Sequence, residues 1–233
     1  MTTASPLGIL EDDARQNTRG NRVFDSIRQA IVQLRLQPGY LLSEADVARQ
    51  LGVSRQPVRE AFIKLAEIGL VEVRPQRGTF VKLISIREVQ NARFIREAVE
   101  VAIVRKAALG AETGRLAELS RILHRQRAAN AAGDHLGFMR LDEAFHAAIA
   151  HTADCDHAWR VLEGLKAQMD RVRYLSMPDA TPIETLIGQH AAIVDALARH
   201  SPDEAEAAMR AHLSEIVVSL PRIAQAHPEL FTD

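Results

Sequence analysis

The sequence predicts a mainly α-helical protein in two parts, a winged helix-turn-helix followed by an antiparallel α-helical bundle. Three observations carry this. The strong β-prone runs are confined to Leu70–Leu83, and beyond Ser85 apolar residues recur at helical spacing almost to the end. Charge divides at the same place: 19–83 carry eleven Lys/Arg against six Asp/Glu, whereas 84–233 carry seventeen against twenty-one. A basic module ahead of a mildly acidic one suits two domains with different partners. The expected division is therefore a mobile leader over 1–19, a DNA-binding domain over 20–83 and a helical domain over 84–233.

Composition narrows the class further. With 233 residues, 47% hydrophobic, the chain can bury one large or two small cores and is not a disordered tail. Cys155, the single cysteine, cannot form an internal disulfide, which suits a reducing compartment. No run approaches the ~20 apolar residues of a membrane span. The leader carries Glu11, Asp12 and Asp13 in place of an apolar block, so no signal peptide is expected. The expected location is cytoplasmic.

Val23, Ile27, Ile31 and Leu34 give a first helix, broken at Pro38-Gly39. Ser43 is an N-cap, with Asp46 three residues on, for a short helix through Val47, Ala48 and Leu51 that Gly52 ends. Ser54 caps the next helix, which has Pro57 in its first turn, buries Val58, Phe62, Leu65 and Ile68, and stops at Gly69. Leu70–Val73 and Thr79–Leu83 then read as a hairpin around Arg74–Gly78. Ser85-Ile86-Arg87-Glu88 is a capping box opening a helix to about Leu109. Breaks at 110–114, 133–134, 152–154, 176–182 and 200–202 leave six helices, with a seventh left open. Thr181-Pro182 and Ser201-Pro202 each pair an N-cap with proline at the first helical position.

In the second helix of the helix-turn-helix, Arg55, Gln56 and Arg59 fall at the outer, N-terminal end, where a recognition helix meets base edges. Arginine can bond guanine through two parallel hydrogen bonds, and glutamine can do so for adenine. Ser54 and the helix amides can hold a phosphate. Arg74 and Arg77 at the hairpin tip can reach phosphates or a minor groove, with Gly78 allowing close approach. A solvated face in a protein-binding helix-turn-helix is the bland alternative.

Pro38-Gly39, Leu42, Glu44, the run Leu51–Ala61, Gly69-Leu70-Val71 and Arg77–Val81 together resemble the N-terminal domain of GntR-type bacterial transcription regulators. The resemblance implies a dimeric operator binder in which Arg55, Arg59 and Gly78 occupy DNA-contacting positions. Ala45 departs from it, since many relatives carry arginine there.

In the helical half, Asp142 and His146 adjoin the stripe of Phe138, Leu141, Phe145 and Ile149. His190 falls inside the stripe of Ile183, Leu186, Ile187, Ile193, Val194 and Leu197, and His212 interrupts Ala205, Ala208, Met209, Ile216 and Leu220. A buried carboxylate is costly unless compensated, and a divalent cation would compensate it. Three imidazoles and one carboxylate suit zinc, nickel, manganese or iron. A satisfied core histidine is the alternative at each position taken singly.

Asp142-x-x-Phe145-His146, Gln189-His190 and Ala211-His212-Leu213 resemble the effector-binding FCD-type domain of the FadR branch of that family. The resemblance implies a metal that helps bind a small carboxylate. Arg96 and Glu100 match on the first long helix. Arg96 is the candidate carboxylate clamp, with a salt bridge to Glu100 or Glu97 as its alternative. Arg173 and Tyr174 are further pocket candidates, whereas Trp159 is expected to pack. A transcription regulator, most commonly a repressor in this family, is the function implied. A metal-dependent hydrolase fused to a DNA-binding module, or a regulator whose metal is purely structural, is the alternative. No general base placed like the glutamate of His-Glu-x-x-His supports the hydrolase.

Overall fold

In the computed structural model, which describes residues 7, 19–177 and 182–233, the chain forms two compact units. The first comprises Met1–Val89, Ala167–Tyr174 and His227–Asp233, and the second Gln90–Lys166 and Leu175–Ala226. The leader expected over 1–19 lies outside the described residues except for Leu7, which is buried in the N-terminal core, and Arg19. Thr181, expected as a cap, also lies outside them.

Helix α1 (Arg19–Val32) buries Val23, Ile27 and Ile31 as their spacing predicts. Leu34 does not continue it: the residue turns into the left-handed region at φ 55, and Leu36 takes the buried place. After strand β1 (Leu41–Leu42), α2 (Glu44–Leu51) starts at Ser43, whose hydroxyl accepts the Asp46 amide at 3.3 Å, and ends at Gly52 with φ 64. Asp46 pairs with Arg49 and does not return to the cap. In α3 (Arg55–Glu67), Val58, Phe62 and Leu65 are buried and Ile68 only half-buried. Ser54 occupies its N-cap position without a side-chain capping bond.

Strands β2 (Val71–Arg74) and β3 (Gly78–Val81) form the wing, in antiparallel register from Val71↔Val81 to Arg74↔Gly78. Leu83, expected in the second strand, lies beyond it and is exposed. β1 pairs with the far side of β3, giving the order β1-β3-β2. Two residues are too few for an alternation pattern, so β1 was not predicted. Gly78 has φ 110, and a Cβ there would meet Leu41 Cδ1 at 2.6 Å. Leu41 is half exposed and can yield, but the backbone angle cannot, so Gly78→Ala is expected to cost about 1–3 kcal/mol. Faster amide exchange confined to the wing would show it.

Strand β4 (Ile84–Ser85) pairs in parallel with β5 (Phe231–Thr232), an unpredicted contact that closes the N-terminal unit with the end of the chain. Ser85 Oγ accepts the Glu88 amide at 3.1 Å and opens α4 (Ile86–Gly110). α5 (Thr113–Ala131), α6 (His135–Thr152), α9 (Ile183–Ala198) and α10 (Pro202–Ala226) fit between the expected breaks.

The single helix expected between α6 and α9 is two, α7 (Asp156–Leu165) and α8 (Ala167–Ser176), so seven α-helices follow Ser85 among the described residues. Gly164 weakens the helix just before the break, and buried Lys166 sets its ammonium 2.5 Å from Glu143. Beyond the break the chain serves a different core. Ala167 joins the N-terminal apolar cluster, Gln168 Nε2 donates to the Gly69 carbonyl at 2.6 Å, and Arg28 pairs with Asp170 at 2.5 Å. In the second unit, α4, α5, α6, α7, α9 and α10 pool Val104, Leu119, Phe145, Trp159, Ile193 and Met209 into one core. No described helix is long and apolar enough to cross a membrane.

Candidate metal centre and nucleic-acid interface

In the N-terminal unit, burial of Val58, Phe62 and Leu65 turns the opposite face of α3 outward. Ser54, Arg55, Gln56 and Arg59 are all exposed, as are Arg74, Arg77 and Gly78 on the wing. Several of these side chains are held by partners. Gln56 donates to Glu60 at 2.9 Å, and Arg74 bonds Glu72 while its guanidinium lies 4.6 Å over the Phe80 ring. Arg59 spans the two helices: Nε donates to Glu44 Oε1 at 3.1 Å and Nη2 to Oε2 at 3.0 Å. That pairing was not foreseen.

In the second unit, α6, α9 and α10 bring Asp142, His146, His190 and His212 together, all buried. One donor atom from each lies within 4.8 Å of the others. His146 Nε2 is 3.1 Å from His212 Nε2, and His190 Nε2 is 3.4 Å from the same atom. Asp142 contributes Oδ1 at 3.5 Å from His190 Nε2 and Oδ2 at 3.9 Å from His146 Nε2. Donors ~2.1 Å from one ion stand about 3.0–3.4 Å apart, a spacing that His212 Nε2 has to both other imidazoles and that the carboxylate oxygens exceed by a few tenths of an ångström.

The outward nitrogen of each ring faces an acceptor, at ion-pair distance for His146 and through a hydrogen bond for His190 and His212. Glu100 Oε2 lies 2.5 Å from His146 Nδ1, Gln126 Oε1 2.9 Å from His190 Nδ1, and Gln189 Oε1 3.1 Å from His212 Nδ1. Both amides are themselves oriented, Gln126 by donating to the Leu141 carbonyl at 3.2 Å and Gln189 by donating to Glu215 at 2.6 Å. The two amide oxygens can only accept, which places a proton on Nδ1 of His190 and of His212 and turns their Nε2 atoms toward each other and toward the carboxylate. Such convergence is repulsive until a cation fills it, and that is the fit of these residues to a divalent metal. Burial, followed by the neighbouring imidazoles, holds His212 well below the usual histidine range, which keeps its lone pair available.

Rings wall the cluster: Phe145 stacks on His190 at 4.2 Å, and Trp159 lies parallel to His146 at 6.0 Å, packed as expected. Glu100 links His146 to Arg96, whose Nε donates to it. Burial alone would raise the Glu100 carboxyl, but Arg96 and His146 outweigh it and bring the pKa to about 2. Arg96 is itself buried, and its Nη2 has no hydrogen-bond partner among the described residues. Arg173 and Tyr174 fall on α8 in the N-terminal unit, half-buried, whereas the donor cluster belongs wholly to the other unit.

Gln126 was missed by sequence reasoning. It stands seven residues after Leu119 on the buried face of α5, and a polar residue on that stripe was the available signal.

Residues 19–81 match the model for bacterial regulatory proteins of the gntR family, and 92–215 match the FCD domain. The chain is 43% identical over 212 residues to the HTH-type transcriptional repressor RspR of Escherichia coli, covering 91% of this chain and 93% of that one. Among solved structures, E. coli McbR/YncC superposes with TM-score 0.76 at 21% identity, covering 91% of this chain and all of that one. The transcriptional regulator GntR from Rhodococcus sp. RHA1 superposes with TM-score 0.72 at 27% identity, covering 90% of this chain and 99% of that one.

Proposed function

The chain belongs to the GntR family of bacterial regulatory proteins, and from that membership we propose that it is a metabolite-responsive repressor acting in the cytoplasm on operator DNA. It is a transcription regulator and not an enzyme. The observation that carries the sensing half is the buried convergence of three imidazole Nε2 atoms and a carboxylate, linked through Glu100 to the buried Arg96.

Asp142, His146, His190 and His212 would hold a divalent transition metal, zinc being the best match to the donor set. Bound there, such an ion supplies a Lewis-acidic position for a carboxylate oxygen. Arg96 supplies the complementary cation and, through Nη2, a directed donor to the second oxygen of a small acid. Glu100 fixes Arg96 and His146 together, so the acid site and the donor cluster share one support.

On the DNA side, Arg55, Gln56 and Arg59 read bases, Ser54 and the α3 amides take a phosphate, and Arg74, Arg77 and Gly78 bring the wing to the backbone. A second copy supplies the other half-site. Exposed Phe94 on α4 and Val217 and Val218 on α10 support an apolar contact for it. The ion pairs Arg105–Asp203 and Arg210–Glu97 run these two helices antiparallel, with Phe94 toward the Val217 end.

The effector acts only by binding the operator-competent and operator-incompetent arrangements unequally. Operator titrations of metal-loaded protein against a panel of small carboxylates test this, and no shift with any acid would refute it. Arg96→Lys keeps the charge and loses the fork. It is expected to raise the acid concentration for half-effect about 10- to 100-fold while operator binding without acid is unchanged.

A further inference from the structure

Arg59 is exposed at the end of α3 that would face DNA, yet its guanidinium is already gripped by a carboxylate from another helix. Glu44 is the first residue of α2, and its two oxygens take the side edge of Arg59 through Nε at 3.1 Å and Nη2 at 3.0 Å. The hydrogen bond from Arg59, outweighing burial, holds the Glu44 carboxyl below its ordinary range, so the pair is ionised at neutral pH.

A guanidinium has five N–H groups in one plane. Glu44 consumes Nε–H and one hydrogen of Nη2. What remains is the terminal edge, in which Nη1 and Nη2 present two parallel donors. That edge matches guanine O6 and N7, whereas an unsupported arginine offers either edge from many rotamers. A carboxylate on a DNA-facing surface also repels phosphate, so Glu44 weakens binding to any duplex. A group that lowers general affinity while fixing a base-reading fork acts on the ratio of specific to non-specific binding.

We propose that Glu44 is a positioning residue that sets base specificity by buttressing Arg59 for end-on recognition of a guanine. The proposal rests on the DNA-binding role of α3 and adds to it a residue on α2 that itself reads no base. Arg55 lies close enough to feel the Glu44 charge but makes no hydrogen bond to it among the described residues, so its guanidinium is left to adapt its contact.

The test uses the full chain and a randomised duplex pool. The sequence enriched by wild type becomes the probe, and every single base-pair replacement of it is titrated against wild type, Glu44→Gln, Arg59→Ala and the double variant. Glu44→Gln is expected to reduce discrimination about tenfold at one G·C pair and to tighten binding to unrelated duplex. In the Arg59→Ala background it should change nothing at that pair. Uniformly tighter binding with discrimination intact would overturn the proposal, leaving Glu44 as a mere electrostatic brake. Loss at every position together with a lowered melting temperature would also overturn it, assigning Glu44 to the scaffold. Failure of wild type to enrich any sequence would sink the DNA-binding role of α3 and not the buttress alone.

Discussion

His190→Ala is expected to lower the affinity for a divalent metal at least ~100-fold, leaving purified protein with less than about a tenth of the wild-type metal content. Loss of an outer-shell partner alone typically lowers affinity about 10- to 100-fold, and a direct donor is worth more. His190 is wholly buried, its Nε2 sits 3.4 Å from that of His212 and 3.5 Å from Asp142, and Gln126 fixes its proton on the opposite nitrogen. Alanine removes the donor, unseats Phe145 from its stacked ring and leaves the Gln126 oxygen buried without its partner. The last effect alone destabilises by about 1–3 kcal/mol.

Elemental analysis reads the metal loss, and the melting temperature of the variant should no longer respond to a chelator. Operator binding without acid should survive, because the cluster lies in the second unit and the helix-turn-helix in the first. Unchanged metal content would refute the donor assignment. A wild type that unfolds on chelation but never responds to an acid would instead identify a purely structural ion.

The buried Asp/His cluster was legible because Asp142 and His146 adjoin an apolar stripe while His190 and His212 fall within one, a local signal at helical spacing, and all four are buried. The amides behind them were harder to see, since a glutamine such as Gln126 is chemically unremarkable until its partner is known. Helix ends at Ser43, Gly52 and Gly69 were equally readable, because caps and left-handed glycines act within a few residues. Pairings across long separations were not readable. β4 with β5, Glu44 with Arg59, and the break at Lys166 depend on surfaces that meet only after folding. The break is the clearest case: the segment 155–176 is good helical sequence, and its second half turns away to join a core built from residues ~100 positions earlier.

That second half makes the other large prediction. Arg171 on α8 is fully buried, and Nη1 donates to the Lys82 carbonyl at 2.9 Å and to Gln168 Oε1 at 3.1 Å. Gln168 in turn donates to the Gly69 carbonyl. One turn of α8 thus satisfies backbone oxygens just beyond the end of α3 and just beyond the end of β3. Burial draws the Arg171 guanidinium down to about 10, so it stays charged at neutral pH against a desolvation penalty on the order of 3 kcal/mol. The two charge-assisted hydrogen bonds of Nη1 return about 1.5–3 kcal/mol each, whereas Nε and Nη2 are buried without a hydrogen-bond partner among the described residues, so the charge contributes little net and the packing of a large side chain carries the rest. Arg171→Met keeps much of the volume and removes the charge, but it leaves the Lys82 carbonyl and Gln168 Oε1 without this donor, so it should destabilise by about 1–3 kcal/mol. Arg171→Ala loses volume and bonds together and should destabilise the N-terminal unit by about 2–4 kcal/mol. Trp159, the single tryptophan, reports only on the second unit, so the measurement is amide exchange across Gly69–Leu83. Protection there should fall about 30- to 1000-fold in Arg171→Ala while the second unit is unaffected. Equal protection in Arg171→Ala and wild type would show that α8 rests on the wing without supporting it.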